Sequence, residues 1–336
     1  MLLDSHGRQI RDLRVSLTDR CNFRCFYCLP DGEPPLARKD TVLTFEEIVE
    51  ACRIFVKLGI EKIRLTGGEP LLRKDVELLI AKLSSFKAFG LKDLALTTNG
   101  HTFADRAREL KKAGLDRVTI SLDSLKRENF KDITGVDRLD DVLIAIDAAK
   151  AVGLDPIKIN AVVVRGRNDD EIADLAEFAR VQGVSMRFIE YMPLDSAHQW
   201  DRNLVVSGKE IREKIEERFP LELESTSRGS ETAWNYRFAD GALGNIGIIA
   251  PVTEMFCGAC SRIRLTADGQ IRTCLFSVEE HNLRDVLREG MRKDNANVSP
   301  DIEEFIKSVV LKKEKSHTIN DTEFLPASRS MSFIGG

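Results

Sequence analysis

From residue 12 to about 192 the chain alternates between two apolar periods. Short apolar runs at 13 to 17, 62 to 66 ("KIRLT"), 93 to 97 ("DLALT"), 117 to 122 ("RVTISL"), 157 to 164 ("IKINAVVV") and 186 to 191 ("MRFIEY") read as strands. Between them, apolar residues at i, i+3 and i+4 predict helices over 44 to 58, 74 to 86, 103 to 113, 138 to 152 and 169 to 182. Thr44 stands ahead of Glu46 and Glu47 as an N-cap with first-turn acids, and Gly59, Gly114 and Gly153 fall where helices end in a left-handed residue. Six βα units follow. Right-handed crossovers make their sheet parallel, and it either opens out doubly wound or curls toward a barrel two units short of closure.

In both architectures ligands gather at the carboxyl ends of the strands. The conspicuous residues sit there: "TDRCNFRC" after the first strand, then "TGGEP", "TTNG", "SLDS" and, after the sixth, "EYMPL". Gly, Thr, Asn and Pro are also ordinary turn residues, so the clustering alone does not decide. After residue 195 regularity ends: a helix at 207 to 218, β-prone pieces at 221 to 224, 246 to 249 and 262 to 266, polar helices at 282 to 289 and 301 to 311, and a tail, "SRSMSFIGG". The expected organisation is α/β: residues 1 to 195 form a partial (βα)6 barrel, and 196 to 336 form a C-terminal α+β region closing its open side.

Composition narrows the class. Of 336 residues 43% are apolar and 31% charged, ordinary for a globular protein. Fifty Lys and Arg against 54 acids give no field for nucleic acid, so cations for an anionic ligand must be local. No apolar run is long enough to suggest a membrane span, and "MLLDSHGRQIRDLR" lacks the apolar core of a signal peptide, so the expectation is cytoplasmic. There thiols stay reduced, and seven cysteines cannot all pair. Six of them form two triads, Cys21, Cys25 and Cys28, and Cys257, Cys260 and Cys274. Cys52 lies on the apolar stripe of a predicted helix as a small hydrophobe.

A structural zinc asks for four ligands, and near 21 to 28 there is neither a fourth cysteine nor a histidine. A cubane cluster also has four corners, but one left without a protein ligand stays open to a substrate or cofactor. The second triad is a CxxC followed by Cys274, so either His281 completes a zinc site or the iron of a second cluster is open. His281 competes with a bland reading in which Asn282 caps a helix. No P-loop GxxxxGK[ST] is present. "RGRNDD" at 165 to 170 reads as a solvated turn with a helix cap, and Trp200 and Trp234 as packing residues.

CxxxCxxC with Tyr27 before its third cysteine, on the loop after the first strand, resembles the radical S-adenosylmethionine superfamily, and "TGGEP" resembles its segment that meets the methionyl amine. Residues 4 to 30, "IRLTGGEPLLR", "LTTNG", "SLDS", "IKIN", "RFIEYMP", "FCGACSRIRLTADGQIRTCLF" and the terminal "IGG" resemble, in order, the GTP 3′,8-cyclase family of molybdenum cofactor biosynthesis. The resemblance implies a lyase with two 4Fe-4S clusters and S-adenosyl-L-methionine as cofactors. Cys21, Cys25 and Cys28 would hold the cluster that S-adenosylmethionine chelates and that cleaves it to a 5′-deoxyadenosyl radical. Cys257, Cys260 and Cys274 would hold the cluster that anchors guanine. Hydrogen would leave C3′ of the GTP ribose and C3′ would join C8, giving (8S)-3′,8-cyclo-7,8-dihydroguanosine 5′-triphosphate after reduction. Tyr27, Gly68, Ser121 and Met192 match positions that contact S-adenosylmethionine; Arg14, Arg64, Thr97, Lys158, Arg262, Ile263 and Arg264 match positions that contact GTP; Gly335 and Gly336 match a tail that enters the active site. Implied partners are GTP, a low-potential electron donor and a downstream cyclic pyranopterin monophosphate synthase, with no nucleic acid or membrane; a homodimer is compatible.

The residues agree in part. Arg14, Arg64 and Lys158 lie inside predicted strands, where an inward cation is costly unless an anion pairs with it. Two rivals stand beside this reading: a peptide-modifying radical enzyme with an auxiliary cluster, which tends to carry more C-terminal cysteines, and a non-catalytic metal-binding or redox-sensing protein.

Overall fold

In a computed structural model that describes residues 1–29, 36–194, 200–292, 298–322, 324–325 and 329–335, the expected βα repeat is present. It runs β1 (Asp12–Ser16), α1 (Phe45–Lys57), β2 (Lys62–Thr66), α2 (Val76–Ser84), β3 (Asp93–Thr98), α3 (Phe103–Lys112), β4 (Arg117–Ser121), α4 (Arg127–Thr134), α5 (Leu139–Ala151), β5 (Lys158–Val163), α6 (Ile172–Gln182) and β6 (Ser185–Glu190). The C-terminal part adds α7 (Gly208–Glu216), β7 (Leu221–Leu223), β8 (Trp234–Phe238), β9 (Asn245–Ile249), β10 (Arg262–Leu265), β11 (Gln270–Arg272), β12 (His281–Asn282), α8 (Leu283–Arg292), α9 (Val298–Leu311) and α10 (Met331–Ile334).

All strands belong to one sheet, ordered β12-β11-β10-β1-β2-β3-β4-β5-β6-β9-β8-β7. β1 to β6 are parallel neighbours in chain order. The β-prone pieces expected at 246 to 249 and 262 to 266 are β9 and β10, which pair in parallel with β6 and β1 at opposite edges of the repeat. Antiparallel strands extend both edges, and among the described residues β12 and β7 are the free ends, so the sheet curls without closing. The C-terminal region thus flanks the repeat on both sides. The expected boundary at 195 lies outside the described residues.

Strand alternation sorts the two faces. Val15, Leu65, Leu96, Ile120, Ile159 and Phe188 are fully buried in the apolar core, where truncating any of them to Ala would cost about 2–5 kcal/mol. Their neighbours one position away, Arg14, Arg64, Thr97, Thr119, Lys158 and Arg187, line the inner cavity. α1 starts with the expected Thr44 cap, completed as a capping box by Glu47, and Cys52 is buried in the core. Gly59, Gly114 and Gly153 have the positive φ expected after helix ends.

α4 went unpredicted because "RENFKDIT" offers only Phe130 and Ile133 as large apolar anchors, both buried. The turn at 165 to 170 needs correction: Gly166 and its neighbours are exposed, but Asn168 is fully buried. Its amide accepts from Val164 N at 2.9 Å and donates to the Asp123 and Val162 carbonyls, so it is a buried brace between loops. Trp200 donates to the Tyr191 carbonyl and Trp234 to Glu254, both outside the cavity lining. Among the described residues no helix is long and apolar enough to cross a membrane.

Candidate functional site

The loop after β1 carries the first triad. It turns tightly, with Cys28 N and Leu29 N both donating to the Cys25 carbonyl, at 2.9 and 2.8 Å. α4 braces it from below, its Thr134 and Ile133 carbonyls accepting from Arg24 N and Phe26 N. All seven cysteines are free thiols, which removes the disulfide reading. Burial pushes the Cys28 thiol up to about 12 and Cys25 well above its usual value; Cys21 is raised too. Charge adds to burial: Asp123 acts on Cys25 and Glu69 on Cys21.

The glycine-rich loop after β2 packs directly on this segment. Gly68 N donates to the Thr18 carbonyl at 2.7 Å and Glu69 N to the Arg20 carbonyl at 2.8 Å. A Cβ on Gly68 would collide with the Arg20 carbonyl oxygen, so only glycine permits this approach. Glu69, buried, gathers Leu71 N, Thr98 Oγ1 and Asn99 N at 3.0, 2.8 and 2.7 Å, tying the β2 and β3 loops together. Tyr27 donates to Asp123 Oδ2 at 2.7 Å, while Asp123 Oδ1 accepts from Val162 N, linking the triad to the loop after β4 and to strand β5. Burial raises Asp123 to about 6 and Glu69 to about 7. Ser121 is half-buried at the end of β4, opposite Asn160.

Inside the curled sheet lies a cavity of about 250 Å³. Its walls carry Arg14, Arg64, Lys158, Arg262 and Arg264 of the expected set, and also Arg117 and Arg187. Arg64 is aimed by Thr97 and Thr119, whose hydroxyls accept at 3.1 and 2.8 Å. Burial, then mutual repulsion, holds Arg14 and Arg64 well below the usual guanidinium value and lowers Lys158 to about 6. Asp93 pairs with Arg117 and offsets its share of this cost. Arg117 Nη1, Arg187 Nε and Arg264 Nε are buried without a partner. A lumen with clustered, under-paired guanidiniums fits a polyanion, which would supply the missing acceptors. Ile263, by contrast, turns its side chain into the apolar core.

The second triad opens into the same cavity, with Cys257, Cys260 and Cys274 all on its wall. Cys260 N donates to the Cys257 carbonyl at 3.0 Å. Arg8, held by Asp4 at 2.6 Å, donates to that same carbonyl at 2.8 Å, so the N-terminus secures the turn. Lys313 donates to the Arg262 and Thr273 carbonyls behind the triad. Burial resists ionisation of Cys260, but Arg262, Lys313 and Arg264 bring its thiol down to about 7.

The tail lies between the triads. Met331 and Met192 line the cavity, and the Ser332 backbone acts on the Cys28 thiol. Gly335, at φ 78°, sits where a Cβ would press on Thr66 and Ser16 at 3.2 and 3.3 Å, and the residues before it, Phe333 and Ile334, are buried. Gly336 lies outside the described residues.

The donor sets decide what each triad can hold. Each triad offers three free thiols, one short of the four ligands of a structural zinc site. His281 pairs on β12 beside Glu279, away from the cavity wall, and Asn282 caps α8 by accepting from Asp285 N. Three thiols and an open fourth corner fit a cubane at each place. Of the residues not foreseen, Arg117 and Arg187 carried the readable signal, a cation at an alternating strand position; Lys313 and His317 carried none.

Residues 15–179 match the Radical SAM superfamily and residues 184–319 match Molybdenum Cofactor Synthesis C. The chain is 46% identical to a GTP 3′,8-cyclase of Corynebacterium glutamicum, covering 100% of this chain and 89% of the relative. It is 44% identical to that of Mycolicibacterium smegmatis (100% and 92% covered) and 43% identical to the mitochondrial GTP 3′,8-cyclase of Arabidopsis thaliana (100% and 84%). The fold resembles Streptococcus suis SuiB bound to S-adenosylmethionine, at TM-score 0.65 and 14% identity over 97% of this chain and 77% of that one. It also resembles native anSMEcpe with bound AdoMet, at TM-score 0.59 and 15% identity over 92% and 82%.

Proposed function

The chain belongs to the GTP 3′,8-cyclase family of radical S-adenosylmethionine enzymes, and from that premise we propose that it cyclises GTP to (8S)-3′,8-cyclo-7,8-dihydroguanosine 5′-triphosphate in molybdenum cofactor biosynthesis. The observation that carries this reading is the single cavity walled by both a cation cluster and the second cysteine triad, with the tail running from it to the first. In this reading residues 1–195 form the radical domain and 196–336 the substrate-closing domain. Cys21, Cys25 and Cys28 hold one 4Fe-4S cluster and Cys257, Cys260 and Cys274 the other. When bound, the first cluster and S-adenosylmethionine supply a 5′-deoxyadenosyl radical able to take hydrogen from ribose C3′.

The chain's own residues bind and orient. Arg14, Arg64, Lys158, Arg262 and Arg264 neutralise the triphosphate, each charge-assisted bond replacing repulsion by pairing. Thr97 fixes the Arg64 fork rather than adding charge. Tyr27, Gly68, Ser121 and Met192 shape the S-adenosylmethionine side, and Gly335 brings a position without a side chain against the ends of β1 and β2, helping to exclude water; Gly336 would extend the same tail. A cytoplasmic setting, a low-potential reductant, transfer of product to a cyclic pyranopterin monophosphate synthase and a homodimer belong to the same proposal. The test is anaerobic incubation of the loaded enzyme with GTP, S-adenosylmethionine and a low-potential reductant. Mass spectrometry is expected to find a cyclised isomer of GTP; 5′-deoxyadenosine formed while every nucleotide stays intact overturns the reading.

A further inference from the structure

His317 is held in the cavity wall by the segment that follows α9. Both ring nitrogens are buried and neither meets a partner in good hydrogen-bond geometry, although the Pro251 carbonyl acts on the ring. A buried polar atom left poorly paired is costly, so an imidazole kept this way in a cavity wall points to a missing partner. The ring packs edge-on to Phe276, 4.9 Å between centroids, two residues beyond Cys274. Phe276 belongs to a small apolar cluster with Ile319, Val252, Met192 and Met331, and three of these, Phe276, Met192 and Met331, line the same cavity as the second triad.

The groups that act on this imidazole are few. Burial lowers its pKa, and the Pro251 carbonyl and Asp321 act the other way. It is therefore a neutral ring at pH 7, with one N–H to donate and one lone pair to accept. Phosphate oxygens only accept and already have the guanidiniums. A nucleoside offers what a neutral imidazole matches, donors and acceptors side by side on a base edge, stacked in apolar surroundings.

Resting on the GTP reading above, we propose that His317 is a positioning residue for the purine, hydrogen-bonding the base at the second-triad end of the cavity and taking no part in phosphate binding. One such bond accounts for about tenfold in affinity.

The experiment measures binding of GTP and of inorganic triphosphate to the cluster-loaded protein without S-adenosylmethionine, for wild type, His317→Phe and His317→Gln. Iron content and thermal melting establish that each variant is folded and loaded. Expected are a tenfold weaker GTP affinity for H317F, partial recovery in H317Q, which keeps a donor and an acceptor, and triphosphate binding unchanged in both. GTP affinity unchanged in H317F, or equal losses for GTP and triphosphate, overturns the proposal. Should H317F fail to load iron, H317Q alone decides: base-dependent loss supports the assignment and none refutes it. Failure of wild type to bind GTP would instead strike the underlying reading.

Discussion

The two cysteine triads present the same three thiols in different electrostatic settings. The first sits in a loop against apolar packing with Asp123 and Glu69 near it, and its thiols are pushed up. The second opens into a lumen of cations, where Arg262, Lys313 and Arg264 draw Cys260 down to about 7 even though burial still raises Cys274. On the proposed reading this difference sorts ligands by charge, the sulfonium of S-adenosylmethionine going to the acid-flanked triad and a nucleoside triphosphate to the cation-flanked one. The fold creates the contrast through strand alternation: β1, β2 and β10 turn arginines inward one position away from core aliphatics, and the first triad lies beyond the strand ends.

The harshest way to break the comparison is to remove one triad at a time. Cys25→Ala is expected to abolish both 5′-deoxyadenosine formation and cyclisation. Cys274→Ala is expected to retain slow S-adenosylmethionine cleavage while losing cyclisation. Each variant should fall from about eight irons to about four. Cys274→Ala with full cyclisation would show that the triads are not divided in this way.

Next in size, Arg14→Ala and Arg64→Ala should each weaken GTP binding about a hundredfold, the loss expected for a charge-assisted bond, and leave S-adenosylmethionine binding within twofold (~0.4 kcal/mol). Equal losses for both ligands, by equilibrium dialysis, would erase the sorting by charge.

Lys158 sharpens the contrast through pH. Burial and then Arg187, Arg117 and Arg64 lower its ammonium to about 6, whereas in the unfolded chain it titrates near ~10.4. Between those values the unfolded chain binds more protons, so this residue makes the ligand-free protein more stable as pH rises from about 6 to ~10, and Lys158→Met should flatten that slope. A triphosphate pairs with the charged form. GTP binding near pH 7.5 should therefore take up close to one proton in wild type and none through this site in Lys158→Met, as measured calorimetrically in buffers of different ionisation enthalpy. Equal uptake in both would remove Lys158 from the anion site.

The smallest expected effect is at the tail. Gly335→Ala asks a side chain to adopt φ 78° against Thr66 and Ser16, a strain of ~1 kcal/mol, and should lower kcat/KM about fivefold with melting temperature nearly unchanged.

Most of the repeat was legible because its strands and helices bury aliphatics at clean periods of two and three to four. α4 was hidden because its two apolar anchors are outnumbered by charges, and Asn168 looked solvated because sequence does not show that its amide braces three backbone groups. The cysteine triads and Arg14, Arg64 and Lys158 were readable as residues out of place in their elements. Lys313 and His317 were not, since they reach the cavity from an irregular segment whose path only tertiary packing fixes. That β9 and β10 flank opposite edges of the repeat was likewise invisible, being a matter of long-range pairing.

The most direct test of the division between triads is electron paramagnetic resonance of reduced protein in which only one cluster is present. In a Cys21→Ala, Cys25→Ala, Cys28→Ala variant, the remaining signal should change on adding GTP and stay unchanged on adding S-adenosylmethionine. In a Cys257→Ala, Cys260→Ala, Cys274→Ala variant the responses should be reversed. A second-triad signal that ignores GTP, or that responds to S-adenosylmethionine, would contradict the account.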